Sequence, residues 1–213
     1  VNHIVCNSRD TLLYLDNQYV LTFHVTISRS EKIDYPDKLI FDTDPPKGNF
    51  QLAVKAAKVL RLLLEEKLEL KTYVMTSGSE GLHVAVPLKA NKHFDVIRNF
   101  SKTIANHMCN TNPTEFTTAV RKNKRKDRLY IDFLRNSYAQ TSVVPFSIRA
   151  LENAPVATPL YWNELDDTDL NAKYYNIETI FKRLEKVGNP WQDFEQNTKA
   201  IDTAMHTMEI LVN

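Results

Sequence analysis

The chain has 213 residues, 43% of them hydrophobic and 25% charged, with a formal net charge of +1. That is enough apolar material for the core of one domain or one and a half, and too little positive excess for nucleic-acid binding to be read from the sum. No run approaches the ~20 apolar residues of a membrane span, and Val1-Asn2-His3-Ile4-Val5 lacks the basic-then-apolar order of a secretory signal, so a cytoplasmic protein without a membrane partner is expected.

Residues 19–28 alternate, with Leu21, Phe23, Val25 and Ile27 set against Thr22, His24, Thr26 and Ser28; this predicts a half-buried strand with the first set in the core. Residues 38–41 predict a second strand that stops at Asp42-Thr43-Asp44-Pro45-Pro46, where two prolines forbid further ladder pairing. Asn49 is placed to cap a helix over residues 50–68, in which Leu52, Ala56, Val59, Leu60, Leu63 and Leu64 recur at helical spacing. Residues 71–76 and 82–87 predict a hairpin around Ser77-Gly78-Ser79-Glu80-Gly81. Two of the four glycines fall in that turn, which calls for positive φ or for close approach of a ligand.

Residues 93–109 predict a helix with Phe94, Ile97, Ile104 and His107 or Met108 facing inward, and a shorter helix is expected after Pro113. Arg121, Lys122, Lys124, Arg125, Lys126 and Arg128 then make six of eight residues basic, a pattern open to two readings: a solvated loop or a phosphate contact. Residues 129–133 predict a strand with Leu129, Ile131 and Phe133 on one face, leaving Tyr130 and Asp132 on the other. Beyond Pro145 a strand through Ile148 is expected, then a proline-punctuated stretch and two helices over residues 176–187 and 191–211. Cys6 and Cys109 stand apart with no metal-ligand spacing and read as plain core or surface thiols.

Carboxylates at i and i+2 on a strand end point to one side, the geometry for sharing a divalent cation; Asp42 and Asp44 fit it. A third carboxylate from a neighbouring strand, Asp132, would complete a cradle for two metal ions, although aspartates before prolines also form turns. Ser77 and Ser79 offer hydroxyls, and their turn offers backbone N–H groups, to triphosphate oxygens. His83 follows the turn, where a histidine is as readily structural as functional, and Arg149 could hold phosphate bidentately or lie on the surface.

Four motifs stand in register: Phe41-Asp42-Thr43-Asp44-Pro45-Pro46, Thr76 through His83, Ile131-Asp132 followed by Asn136, and Val144 through Ala150 on to Pro155-Val156-Ala157. In order and spacing they resemble the polymerase domain of bacterial and archaeal DNA ligase D, of the archaeo-eukaryotic primase superfamily. The resemblance runs from about Asn2 to Asp167 and is less specific over the last ~45 residues. It implies an α+β primase-like fold with a mixed or antiparallel sheet and flanking helices, residues 1–170 forming the catalytic core and 171–213 a helical tail of the same domain.

It further implies manganese or magnesium, two ions, on Asp42, Asp44 and Asp132. Ser77, Ser79, His83 and Arg149 would surround the nucleotide with His24 and Asn136, and Arg121, Lys122, Lys124, Arg125 and Arg128 would meet DNA. The implied activity is addition of ribo- or deoxyribonucleoside triphosphates at broken DNA ends during non-homologous end joining, with Ku and an ATP-dependent DNA ligase. Three departures stand out: Glu80 where the family usually has lysine, Arg135 where it often has glutamine, and Thr43 where it often has an apolar residue. The chain also opens without methionine at a point resembling the interior of that domain, which suggests that a preceding segment gripping the 5′-phosphate and template is missing. Two rival readings are a non-catalytic nucleotide or DNA-end binding module and a phosphohydrolase of the haloacid dehalogenase type.

Overall fold

A computed structural model describes residues 4–213. In chain order it comprises α1 (Arg9–Asn17), β1 (His24–Thr26), β2 (Lys38–Asp44), α2 (Phe50–Arg61), β3 (Tyr73–Thr76), β4 (Leu82–Pro87), α3 (Phe94–Thr111), β5 (Phe116–Thr117), β6 (Leu129–Asp132), β7 (Thr141–Val143), β8 (Pro159–Leu160), α4 (Ile180–Val187) and α5 (Asp202–Val212). Six strands make one sheet in the order β5-β6-β2-β4-β3-β8, and β1 pairs with β7 in a separate two-stranded ribbon. The pairs β2–β4, β2–β6, β3–β4 and β3–β8 are antiparallel, and β5 runs parallel to β6, so the sheet is mixed.

Alternation decides which face of the sheet is dry. Leu39 and Phe41 of β2, Leu82, Val84 and Val86 of β4, and Leu129 and Ile131 of β6 join one cluster with Ala53, Ala56, Ala57 and Leu60 of α2 and with Ile97, Ile104 and Met108 of α3. Each large side chain of this layer contributes about 1.5–3 kcal/mol by leaving water. Asn49 caps α2 as expected, its Oδ1 accepting from Leu52 N–H at 3.2 Å. The helix ends earlier than the apolar spacing suggests, passing at Leu62–Lys67 into a wider π turn in which Leu68 N–H reaches Leu63 C=O at 3.1 Å. After residue 170 the chain returns to this core, where Ile201, Ala204 and Met208 join the cluster.

Several elements differ from the sequence reading. The alternating stretch 19–28 pairs only over His24–Thr26; Leu21 and Val25 are exposed, and Ile27 alone of the four apolar residues is buried. Upstream, α1 was not expected, because its apolar residues are contiguous and only Leu15 is buried. Strand β2 continues through its acids to Asp44 before the prolines end it, since Asp42 and Asp44 still pair with Asp132 and Tyr130. Pro113 leads through a turn into β5, where a helix was expected. Past Pro145 a lone bridge between Ile148 and Val156 replaces the expected strand, with Phe146 at φ 65°. The two C-terminal helices are shorter than the pattern suggested: 191–197 is turns and 3-10 backbone, and Lys199 bridges to Leu88.

Candidate active site

Register turns the opposite face of the sheet into a row of reactive side chains. Asp42 lies directly opposite Asp132 on β6 and His83 on β4, and His83 lies opposite Met75 on β3. Cross-strand partners stand about 4.5–5.5 Å apart at Cβ, so the row Asp132-Asp42-His83 is contiguous. Asp44, two residues along, shares the face with Asp42. His83 Nε2 comes within 3.4 Å of Asp42 Oδ1, while Arg135 Nε is 3.4 Å from both Asp42 Oδ2 and Asp132 Oδ2. Tyr130 Oη and Leu134 N–H both donate to Asp132 Oδ1, at 3.1 and 2.8 Å.

The three acids are held at different affinities for protons. Burial pushes Asp42 upward, but His83 and Arg135 together outweigh it and leave its carboxyl below the ordinary value. Asp132 is raised, chiefly by burial, with Leu134 N–H and Arg135 opposing. Asp44 is pushed up to about 6 by burial and by the Asp42 charge, with Arg125 pulling the other way from 3.7 Å. Two raised carboxyls beside a lowered one form a site short of positive charge, which suits a divalent cation. Among the described residues, however, no three His, Cys, Asp or Glu side chains stand in a ready-made metal-holding group. The donor set fits a cation by chemistry and shared face, while the guanidinium of Arg135 lies between two of its members.

Next to the acids is a cavity of about 170 Å³ whose lining includes His24, Ser77, Ser79, Glu80, His83, Arg135 and Arg149. Ser77 Oγ accepts from the N–H groups of Ser79 and Gly81, both at 3.2 Å, so those two donors organise the turn while the Ser77 hydroxyl keeps its own proton to give to a ligand. Arg149 Nη1 donates to Ser77 C=O at 2.9 Å. The two glycines act differently from each other. Gly78 sits at φ +66°, with Arg149 Cγ 2.7 Å from where a Cβ would be, whereas a Cβ on Gly81 would lie 1.7 Å from Thr43 C=O. The close neighbour at Gly81 is therefore backbone of β2, not a ligand. His24 reaches the cavity from β1, and Ser142 Oγ on β7, 3.3 Å from His83 Nδ1, ties that ribbon to the acid row. Burial lowers His24, and Arg149, Arg135 and His83 lower it further.

A family model described as LigD, primase-polymerase domain, matches residues 1–191. The chain belongs to the LigD primase-polymerase family. It is 36% identical over 197 residues to the bifunctional non-homologous end joining protein LigD of Bacillus subtilis, covering 92% of this chain and 32% of that protein. It is 29% identical over 187 residues to the multifunctional LigD of Pseudomonas aeruginosa, covering 87% and 22% respectively. The chain thus spans a third or less of the curated relatives it matches. Among solved structures, the polymerase domain of Mycobacterium tuberculosis ligase D in complex with DNA superposes with a TM-score of 0.83 at 25% identity, over 93% of this chain and 74% of that one. The primase-like α+β fold is that of the family, and membership sets aside the phosphohydrolase reading.

Not every residue named from the sequence enters this LigD-family site. Asn136 is fully buried behind it, its Oδ1 accepting from Ile40 N–H and its Nδ2 donating to Ile40 C=O, so its amide fastens the turn after β6 to β2. Arg128 gives its guanidinium to the carbonyls of Arg125, Pro113 and Lys124. Arg125 bonds the carbonyls of Ala119 and Val120 and lies 4.1 Å over the Tyr130 ring. These two arginines shape the basic loop, leaving Arg121, Lys122, Lys124 and Lys126 exposed on it. In the sequence Arg135 stands out only as a charge difference from the family, and Ser142 belongs to none of the motifs. Of the two, only Arg135 carries a sequence signal, its place three residues after Asp132.

Proposed function

We propose that this chain is the nucleotide-adding domain of a DNA-end-extending polymerase, a nucleotidyltransferase that uses ribo- or deoxyribonucleoside triphosphates. What carries the reading is the row Asp132-Asp42-His83, with Asp44 on the same face, beside a cavity lined by Ser77, Ser79 and Arg149. Manganese or magnesium, as two ions on Asp42, Asp44 and Asp132, would supply activation of the primer 3′-hydroxyl and charge stabilisation for the leaving pyrophosphate.

The chain's own residues do the rest. His83 keeps Asp42 ionised and oriented. Ser77 donates its hydroxyl proton to the triphosphate, Arg149 adds a fixed cation, and His24, kept neutral at its depressed pKa, gains a proton more readily once phosphates arrive. Ser79 lies at the cavity edge to donate a further hydroxyl. Arg121, Lys122 and Lys124, exposed on a loop braced by Arg125 and Arg128, meet the backbone phosphates of a DNA end without reading its sequence. The names of the relatives, and the DNA bound to the tuberculosis domain, support a place in non-homologous end joining; Ku and an ATP-dependent ligase are the partners that the family resemblance implies.

The test is incorporation of labelled nucleotides onto a primer–template with a recessed 5′-phosphate and manganese, comparing the chain with Asp132→Ala. Incorporation that the substitution abolishes is the expected result. A second reading, a domain that binds nucleotide or DNA ends without turnover, is favoured by Glu80, whose carboxylate lines the same cavity. Binding of nucleotide with no incorporation by either protein would select it.

A further inference from the structure

We propose that Arg135 is a built-in counter-cation of the acid row, a guanidinium that holds the place of a divalent ion between Asp42 and Asp132 and must swing out before that ion binds. The inference rests on the reading of Asp42, Asp44 and Asp132 as metal ligands.

Arg135 Nε stands at 3.4 Å from an oxygen on each of two strands, Asp42 Oδ2 and Asp132 Oδ2. Charge-assisted N–H···O bonds close to about 2.7–2.9 Å, so this is charge balance without tight directional bonding, an arrangement that exchanges easily. A magnesium-sized ion shared by the same two oxygens would sit about 2.0–2.1 Å from each. An ion and the guanidinium that balance the same two oxygens repel each other, so binding of the one disfavours the other.

The backbone under Arg135 is fixed and its side chain is not. The 3-10 turn Leu134–Asn136 is pinned by Leu134 N–H on Asp132 and by the Asn136 amide on Ile40, at 2.8 Å for the first and 2.8 and 2.7 Å for the second. The Arg135 side chain is 37% exposed, which leaves it a way out. Arg135 already lines the cavity that Ser77 and Arg149 share, and that cavity is its proposed destination. Binding of the ion therefore releases a cation into the phosphate cavity, and occupancy of the metal site strengthens the grip on the nucleotide.

The experiment is Mn2+ titration followed by the EPR signal of free Mn2+, with the whole chain and no nucleotide, for wild type, Arg135→Gln and Asp132→Asn. Arg135→Gln is expected to bind Mn2+ about tenfold tighter and, in saturating Mn2+, to bind ATP several-fold more weakly. Unchanged or weaker Mn2+ binding by Arg135→Gln, with Asp132→Asn weakened, would overturn the role of Arg135 and leave the metal site standing. Mn2+ binding indifferent to Asp132→Asn would overturn the metal site and this inference with it. Should Arg135→Gln fail to fold by circular dichroism, Arg135→Lys replaces it; the shorter side chain is expected to give an intermediate gain, and no gain counts against the proposal.

Discussion

Along β2, Leu39, Phe41 and Thr43 point into the layer beneath α2 and α3 and are fully buried, while Asp42 and Asp44 on the other face answer to Asp132, His83 and Arg135. The first face is held by area removed from water, with every polar group paired: even Thr43 Oγ1 donates to Leu82 C=O at 2.8 Å and accepts from Leu82 N–H at 3.1 Å. The second face gathers carboxyls of which two are less willing to ionise than usual. At its end the strand thus stabilises the fold with Phe41 and Thr43 on one face and presents Asp42 and Asp44 on the other, and alternation keeps the two functions apart.

The most severe way to break that contrast is on the dry face. Phe41→Ala is expected to cost about 3–5 kcal/mol, read as a lower urea midpoint. Asp44→Asn, one pleat further on the other face, is expected to leave the midpoint of the metal-free chain unchanged or raise it by less than ~1 kcal/mol after solvent screening. Equal losses for both substitutions would abolish the distinction.

A second effect follows from protonation. Asp44 is pushed up to about 6 in the folded chain, above the ~3.9 of an unfolded aspartate. The folded state holds that proton more tightly, so the associated stability is full below about pH 4 and is lost as pH rises through about 6. A divalent ion has to displace the same proton, so Mn2+ affinity is expected to climb between about pH 5 and 7 and then level, with Asp44→Asn flattening the climb. Calorimetric titrations at a series of pH values check it; a flat profile in wild type would show that these acids bind no metal.

The smallest expected effect is at the cavity rim. Glu80 is exposed and lines the cavity with Arg149, so Glu80→Lys is expected to tighten nucleotide binding about two- to fivefold at low salt, fading as salt screens it. No change at low salt would mean that phosphate does not pass Glu80.

Much of the acid face was legible because the information is local. The i, i+2 spacing of Asp42 and Asp44, the out-of-phase Asp132 and the glycine turn each follow from the pleat or from backbone freedom, and the motifs that resemble ligase D placed them in one site. What was not legible depends on long-range partners. Asn136 falls at a family position near the site, but its amide is committed to Ile40, ninety-six residues away in sequence. Arg128 sits in a basic run that reads as DNA-facing, but three carbonyls claim its guanidinium. The alternation of residues 19–28 suggests a core strand, yet the ribbon β1–β7 lies off the main sheet and leaves Val25 exposed. Pairing partners decide such cases, and a period-2 pattern carries no record of them.

The contact at Gly81 has a mechanical consequence. Its Cα lies so near Thr43 C=O that an added Cβ would stand 1.7 Å from that oxygen, and Thr43 is the residue between Asp42 and Asp44. The peptide that spaces the two acids is therefore the floor on which the serine turn rests, with the two hydrogen bonds between Thr43 Oγ1 and the Leu82 backbone as rivets on the far side. A displacement of the turn by an arriving ligand would therefore press on the peptide that sets the spacing of the acids. Turn and acids behave as two ends of one short lever, and even alanine at position 81 would prise its fulcrum apart.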